Sequence, residues 1–272
     1  MSNKAKSAAE GAADKVQQQP AYRALVKVGV AAYGLVHLLI AWLALRIAFG
    51  DNSAEASNSG ALAELSKTPL GGVLLWVVGI GFIALVVWQL VAACVGYREL
   101  DGGKRVRKRL GALAKTVLYA ALAASSIGIA LGGSSGGGGD SEQSLTSQLL
   151  SMPLGTWLVA AVGAGVIAVG ISQIVKGISG SFNDELETEL TGTARWLAGA
   201  GWMAKGVAIS LIGGLFIAAA IGRDPDEAGG LDEALTAVLQ QPFGVPLLVV
   251  LAIGIGCFAF WCWHLLRHAK HA

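Results

Sequence analysis

Gly29-Val30-Ala31-Ala32-Tyr33-Gly34 returns twice along the chain, as Gly111-Ala112-Leu113-Ala114-Lys115-Thr116 and as Gly201-Trp202-Met203-Ala204-Lys205-Gly206. A second mark follows each copy: Pro69-Leu70-Gly71, Pro153-Leu154-Gly155 and Pro242-Phe243-Gly244. The copies lie about 82 to 90 residues apart, beyond the period of short solenoid repeats. Each copy therefore reads as a hairpin of two helices, and the repetition decides the architecture.

Working outward, each mark opens a long apolar run. The runs fall near 28–49, 71–95, 111–132, 154–178, 196–221 and 243–266. Each reaches the roughly 20 residues that a helix needs to cross a bilayer. Composition agrees: 54% of the 272 residues are apolar, only 14% are charged, and 38 are glycine, too greasy for an ordinary soluble domain. The expected fold is all-α, a polytopic transmembrane six-helix bundle built from three tandem two-helix repeats. The repeats occupy 22–96, 108–180 and 194–268, form one transmembrane domain, and follow a disordered tail over 1–21.

Because each hairpin has two spans, all three copies enter the membrane the same way round. Such parallel repeats are related by an axis along the membrane normal, which predicts a pseudo-threefold bundle. A net charge of +2 hides a strong asymmetry. Lys4, Lys6, Lys15, Arg23 and Lys27 precede the first span, Arg98 and Lys104 to Arg109 follow the second, and Arg267 and Lys270 follow the last. The alternate loops hold only Lys67 and Arg223 among many acids. Cations stay on the cytoplasmic side, so both termini are expected there. The third cytoplasmic segment departs from this with Asp184, Glu185, Glu187 and Glu189, although acids weigh little in the rule.

The first twenty residues lack the apolar core of a signal peptide and the acid-free character of a transit peptide. Cys94, Cys257 and Cys262 lie inside spans with no Cys-x-x-Cys, which argues against disulfides and structural zinc. Between the helices of each hairpin, 61–65, 144–150 and 231–239 space apolar residues three or four apart. This predicts short helices lying on the outer membrane surface, each followed by a proline in the first turn of the next span.

Within the spans, Gly81, Gly165 and Gly254 lie twelve residues beyond their prolines, with Gly79 and Gly163 two residues earlier. Small residues at matched depth suit close helix packing where lipid offers no hydrophobic drive. Lys115 and Lys205 are repeat counterparts, and Tyr33 stands at the same place in the first copy. About 6 Å into the helix, such lysines are expected to snorkel to the phosphate level. The alternative pairs them with anionic lipid headgroups or with Gln89 and Gln173, themselves counterparts and replaced by Cys262 in the third copy. These six residues, Tyr33, His37, Gln89, Lys115, Gln173 and Lys205, are the candidate polar or lipid-headgroup contacts. His37, whose counterparts are Tyr119 and Ile209, is expected to be packed or hydrogen-bonded. No carboxylate lies inside the spans, which weakens a proton- or sodium-coupled pump.

Other signals are weaker. The glycine-rich 132–140 stretch lacks the Gly-Lys-Ser/Thr ending of a phosphate loop and reads as a linker. The Lys104–Arg109 run has no interleaved aromatics for nucleic acid and suits anionic lipid instead. His264, His268 and His271 do not make a closed metal site. No catalytic residues, metal or cofactor are expected.

The Gly-x-x-Ala-Lys/Tyr start, the short outer helix and the Pro-Leu/Phe-Gly opening, three times over, resemble a bacterial membrane family known as domain-of-unknown-function family 1206. The resemblance covers residues 22–268 and implies three two-helix modules, without an established activity. The cation usual after Gly-x-x-Ala is present as Lys115 and Lys205 and replaced at Tyr33. The functional expectation is a non-enzymatic scaffold or lipid-interacting protein of the bacterial cytoplasmic membrane. Its partners would be membrane lipids, anionic at the cytoplasmic face, and a membrane protein partner. The alternative is a small-solute transporter or channel using the central axis.

Overall fold

A computed structural model describes residues 20–51, 53–95, 102–133, 138–152 and 154–268. Nearly all of the expected tail, the segment with Arg98, Pro153, and the end with Lys270 and His271 lie outside the described residues. Six long helices dominate: α1 (Pro20–Ala48), α3 (Gly71–Val95), α4 (Gly102–Ala130), α6 (Gly155–Ser179), α7 (Gly192–Gly222) and α9 (Gly244–His268). All six are long and apolar enough to cross a membrane. Three short helices join them: α2 (Asn58–Ser66), α5 (Gly138–Leu150) and α8 (Leu231–Leu239). The basic run Lys104–Arg109, expected as a loop, instead forms the first two turns of α4. Similarly, the last residues of the glycine-rich linker open α5.

The repeated Pro-x-Gly makes the corner between each short helix and the next span. Gly71, Gly155 and Gly244 each donate their backbone N–H to the carbonyl three residues back, on Thr68, Met152 and Gln241. The span then starts at the glycine itself, so Pro69 and Pro242 sit in the turn rather than in the helix. Leu154 and Phe243 occupy the left-handed region there, at φ 65° and 62°. The glycine is needed for close approach. A Cβ at Gly71 would come within 2.6 Å of the Leu65 carbonyl oxygen, and one at Gly155 or Gly244 would collide with the end of α5 or α8.

The six long helices follow one another around a ring. α1 packs on α3, α3 on α4, α6 on α7, α7 on α9, and α9 returns to α1. The one break is inside the second hairpin, where α4 and α6 do not pack along each other. At one end of the ring, each short helix reaches the first long helix of the following hairpin: α2 meets α4, α5 meets α7, and α8 meets α1. There the short helices also cover one another, with Ala61, Leu62 and Leu235 fully buried. Asp232 accepts a hydrogen bond of 2.6 Å from the Ala56 N–H and so ties the third repeat to the first. We call this the elbow end, and the opposite one the basic end.

Glycine sets how closely the long helices approach. Gly163, Gly170 and Gly177 of α6 face Gly213, Gly206 and Gly199 of α7, one facing pair per seven residues. A Cβ at Gly206 would stand 2.6 Å from the Gly170 carbonyl oxygen, and one at Gly213 would stand 2.7 Å from that of Gly163. Backbones this close gain dispersion and weak Cα–H···O contacts that longer side chains would prevent. Gly81 meets Gly29 within the first hairpin, and Gly254 meets Ala204 within the third. Gly165 differs: it is exposed, with nothing within 4 Å of where a Cβ would stand, and its neighbour Gly163 makes the contact instead.

Arg46, near the elbow end of α1, is expected from the sequence to extend outward to the interface, but the fold pairs it with acids instead. It binds Asp51 (Nη2–Oδ2 2.5 Å) and Glu64 (Nη1–Oε1 3.1 Å). The Ser53 hydroxyl and N–H, followed by Arg46, hold the Asp51 carboxyl down to about 2. A carboxylate with a depressed folded-state pKa stabilises the fold above its unfolded value, near 4, and loses that contribution as pH falls toward 2. Hydrogen exchange over residues 53–66 should therefore accelerate between pH 4 and 2, beyond the intrinsic change. Arg46→Gln should blunt this difference, and a flat profile would contradict the role given to Asp51. For the glycine contacts, Gly206→Val is expected to cost about 2–3 kcal/mol in reversible unfolding in detergent, and Gly165→Ala under about 1 kcal/mol. Equal costs at the two positions would contradict the packing described.

Candidate functional site

The repeat register brings counterparts together in the middle of the ring. Lys205 Nζ of α7 donates a 2.6 Å hydrogen bond to the Tyr33 hydroxyl of α1. Lys205 therefore turns inward and does not snorkel to the surface, because Tyr33, at the same register of α1, offers an oxygen at reach. Its amine also stands 3.9 Å from the Phe258 ring centroid and 4.8 Å from that of Tyr33. Aromatic faces thus surround the amine where water would otherwise be.

Around this pair the axis is filled. His37 donates from Nδ1 to the Tyr33 carbonyl at 2.9 Å, one helical turn back, and its ring packs between Tyr33 (4.3 Å) and Phe258 (4.8 Å). Tyr119 of α4, the counterpart of His37, lies 5.4 Å from Tyr33 and stacks with Phe82 of α3 at 6.2 Å. Cys262 of α9 is buried against α1, with its Cβ 3.0 Å from where a side chain at Gly34 would begin. Gln89 is also buried, and its Oε1 has no hydrogen-bond partner among the described residues. Gln173 is half-buried.

Toward the basic end lies a second group. Lys176 of α6 pairs with Glu185 at 2.5 Å and places its amine 3.8 Å from the Trp202 ring centroid. Trp202 in turn meets Trp261 (4.8 Å) and Phe258 (5.1 Å). Both indoles are buried, and neither ring N–H has a partner among the described residues. Lys205 lies 5.6 Å from the same Trp202 ring, so two amines from two repeats share one indole.

Glu185 comes from the acidic segment that broke the charge pattern. The chain turns at Gly180 (φ 75°) and runs through a 3-10 turn over Ser181–Glu185. Asn183 staples the loop: its amide donates to the Leu190 carbonyl (3.1 Å) and its oxygen accepts from the Leu190 N–H (3.2 Å). This folds Phe182 and Leu186 fully into the core. Burial alone would raise the Glu185 carboxyl; Lys176, Lys115 and Lys108 outweigh it and hold it below the usual carboxylate range. One carboxylate thus serves several lysines.

Of the six candidate polar residues, the structure joins Tyr33, His37 and Lys205 directly. Lys115 is exposed, although it occupies the register that points Tyr33 and Lys205 inward. Lys176, Glu185, Trp202 and Phe258 were not among the candidates. Lys176 was visible as a cation at the end of the 154–178 run, whereas Glu185 showed only as one of four acids that break the charge pattern, with nothing to set it apart from the other three. Among the described residues, no group of three His, Cys, Asp or Glu is placed to hold a metal.

The Tyr33–Lys205 bond is testable. Tyr33→Phe should destabilise the protein by about 1–2 kcal/mol, by leaving a buried amine without its acceptor. In a cycle with Lys205→Met, the double variant should lose clearly less than the sum of the singles; strict additivity would contradict the contact.

Comparison with known proteins places this architecture. An uncharacterised protein of Bacillus subtilis (strain 168), YxxB, is 33% identical over 247 residues, which cover 89% of each chain. No solved structure matches the chain. Domain of Unknown Function (DUF1206) matches three times, over residues 28–96, 110–180 and 200–265, one match to each hairpin. The chain is an integral membrane protein that belongs to the DUF1206 family.

Proposed function

We propose that the chain is a non-enzymatic, lipid-interacting protein of the bacterial cytoplasmic membrane, with its basic end and both termini facing the cytoplasm. The observation that carries this reading is the concentration of cations at the basic end. Lys104 to Arg109 form the first turns of α4, where the positive end of the helix dipole makes clustered cations unfavourable unless anions accompany them. Phosphates of anionic lipid supply such anions at that level, each nearby Lys or Arg contributing about 1 kcal/mol. Around the ring, Leu38, Trp42, Val77, Ile80 and Val169 are exposed side chains suited to acyl chains.

The packed axis speaks for holding rather than conduction. Tyr33, His37, Tyr119 and Phe258 occupy the place a solute path would need, and the short helices cover the elbow end. His37 Nδ1, Lys205 Nζ and the Tyr33 hydroxyl are engaged in structural bonds. This supports a non-catalytic role.

Mass spectrometry of the protein extracted in native-lipid discs tests the reading. Anionic phospholipid is expected to be enriched about threefold or more over the bulk membrane. Enrichment should fall when Lys104, Arg107 and Lys108 are changed to Gln. Lipid in bulk proportion, or a retained polar metabolite, would overturn it.

A further inference from the structure

The break in the ring lies along α4, the helix whose first turns carry the basic cluster. In the first and third hairpins the repeated glycines lie in the helix–helix contact: Gly29 against Gly81, and Gly201 and Gly254 against the partner helix. Their counterparts in the second hairpin, Gly111 and Gly165, have nothing within 4 Å of a Cβ position, and both are exposed. The packing surface is present in the sequence of α4 and α6 and goes unused. Lys115, one turn from Gly111, stands at the register that turns Tyr33 and Lys205 inward, yet it is exposed.

We propose that the α4/α6 seam binds one anionic phospholipid, with its phosphate near the level of Gly111, on Lys115 and Lys176 in place of the Glu185 carboxylate, and an acyl chain running past Gly165 toward the elbow end. This rests on the lipid-interacting reading above and gives it a site. Charge complementarity argues for the occupant. Lys176 pairs with Glu185, an anion that the chain itself supplies, and Lys115 and Lys108 also help hold its carboxyl below the usual carboxylate range. Two buried indole N–H donors, on Trp202 and Trp261, lie beside Lys176 without partners among the described residues. A phosphate oxygen can accept from such donors, whereas acyl carbon cannot. Val162, exposed one turn from Gly165, adds apolar surface that suits an acyl chain better than a purely soluble anion. Glu185 then acts as a displaceable plug, and lipid and carboxylate compete for the same lysine.

The test uses the full-length protein, delipidated in detergent and titrated with phosphatidylglycerol, phosphatidylcholine or inorganic phosphate under native mass spectrometry. One phosphatidylglycerol is expected to be retained in preference to phosphatidylcholine. Lys115→Gln should weaken retention about tenfold. Gly165→Leu, which fills the seam and leaves every charge in place, should abolish it. Glu185→Gln should strengthen it several-fold, by removing the competitor. Both Lys115 and Gly165 are exposed, so the first two variants are expected to fold, and unfolding midpoints near wild type check this. Equal retention of the two lipids, wild-type retention in Gly165→Leu, or weaker retention in Glu185→Gln would each overturn the site. Competition by inorganic phosphate at millimolar concentration would also overturn it, in favour of a soluble anion. Anionic enrichment that depends only on Lys104–Arg109 ends this inference and leaves the lipid-interacting reading standing, whereas no enrichment at all ends both.

Discussion

Close backbone approach at glycine is the constraint on which the bundle depends. In an apolar solvent, helices gain nothing by hiding apolar side chains from one another, so association relies on dispersion between surfaces that fit. The Gly163/Gly213, Gly170/Gly206 and Gly177/Gly199 pairs supply such a surface along about four turns of α6 and α7. The Pro-x-Gly corners then fix where each span begins, and the short helices, each leaning on the next hairpin, fix the order of hairpins around the ring.

Once that ring is set, the chemistry at its centre follows from register. Positions 33 and 205 converge because they are the same position in two repeats, and the bond between Tyr33 and Lys205 satisfies a polar pair that lipid could not solvate. Aromatic rings from three repeats fill the remaining space. The second repeat stands apart. Its lysine has the inward register without an interior partner, and its two helices leave a gap where the others close. Repetition therefore makes most of the bundle alike and makes the exception conspicuous.

Much of this was legible in the sequence. Six spans, three hairpins and the short helices within them follow from run length, spacing and the Pro-x-Gly marks, all of which are local properties. Matched glycines pointed to packing, and at Gly81 and Gly254 the contact lies where the spacing put it. The direction of Lys205 was not legible, because snorkelling and inward bonding need the same residue at the same depth, and only the fold brings Tyr33 within reach. Gly165 carries the same mark as Gly81 and Gly254 but faces open space, since a glycine records a capacity for contact rather than the contact itself. The acidic loop was the hardest to read. Its place beside Lys176 depends on Asn183 and Leu190 closing the turn and on Phe182 and Leu186 entering the core, none of which leaves a periodic trace.

The central claim is that the second hairpin is open where the third is closed, and paired spin labels measure this directly. Val117 and Ile171 are the exposed repeat counterparts of Val207 and Phe260. Cysteine labels at 117 and 171, and separately at 207 and 260, in a background with Cys94, Cys257 and Cys262 replaced by alanine, report the separation within each hairpin in lipid discs. A longer and separately resolved distance for the 117/171 pair is the result this account predicts. Superimposable distance distributions for the two pairs would contradict it.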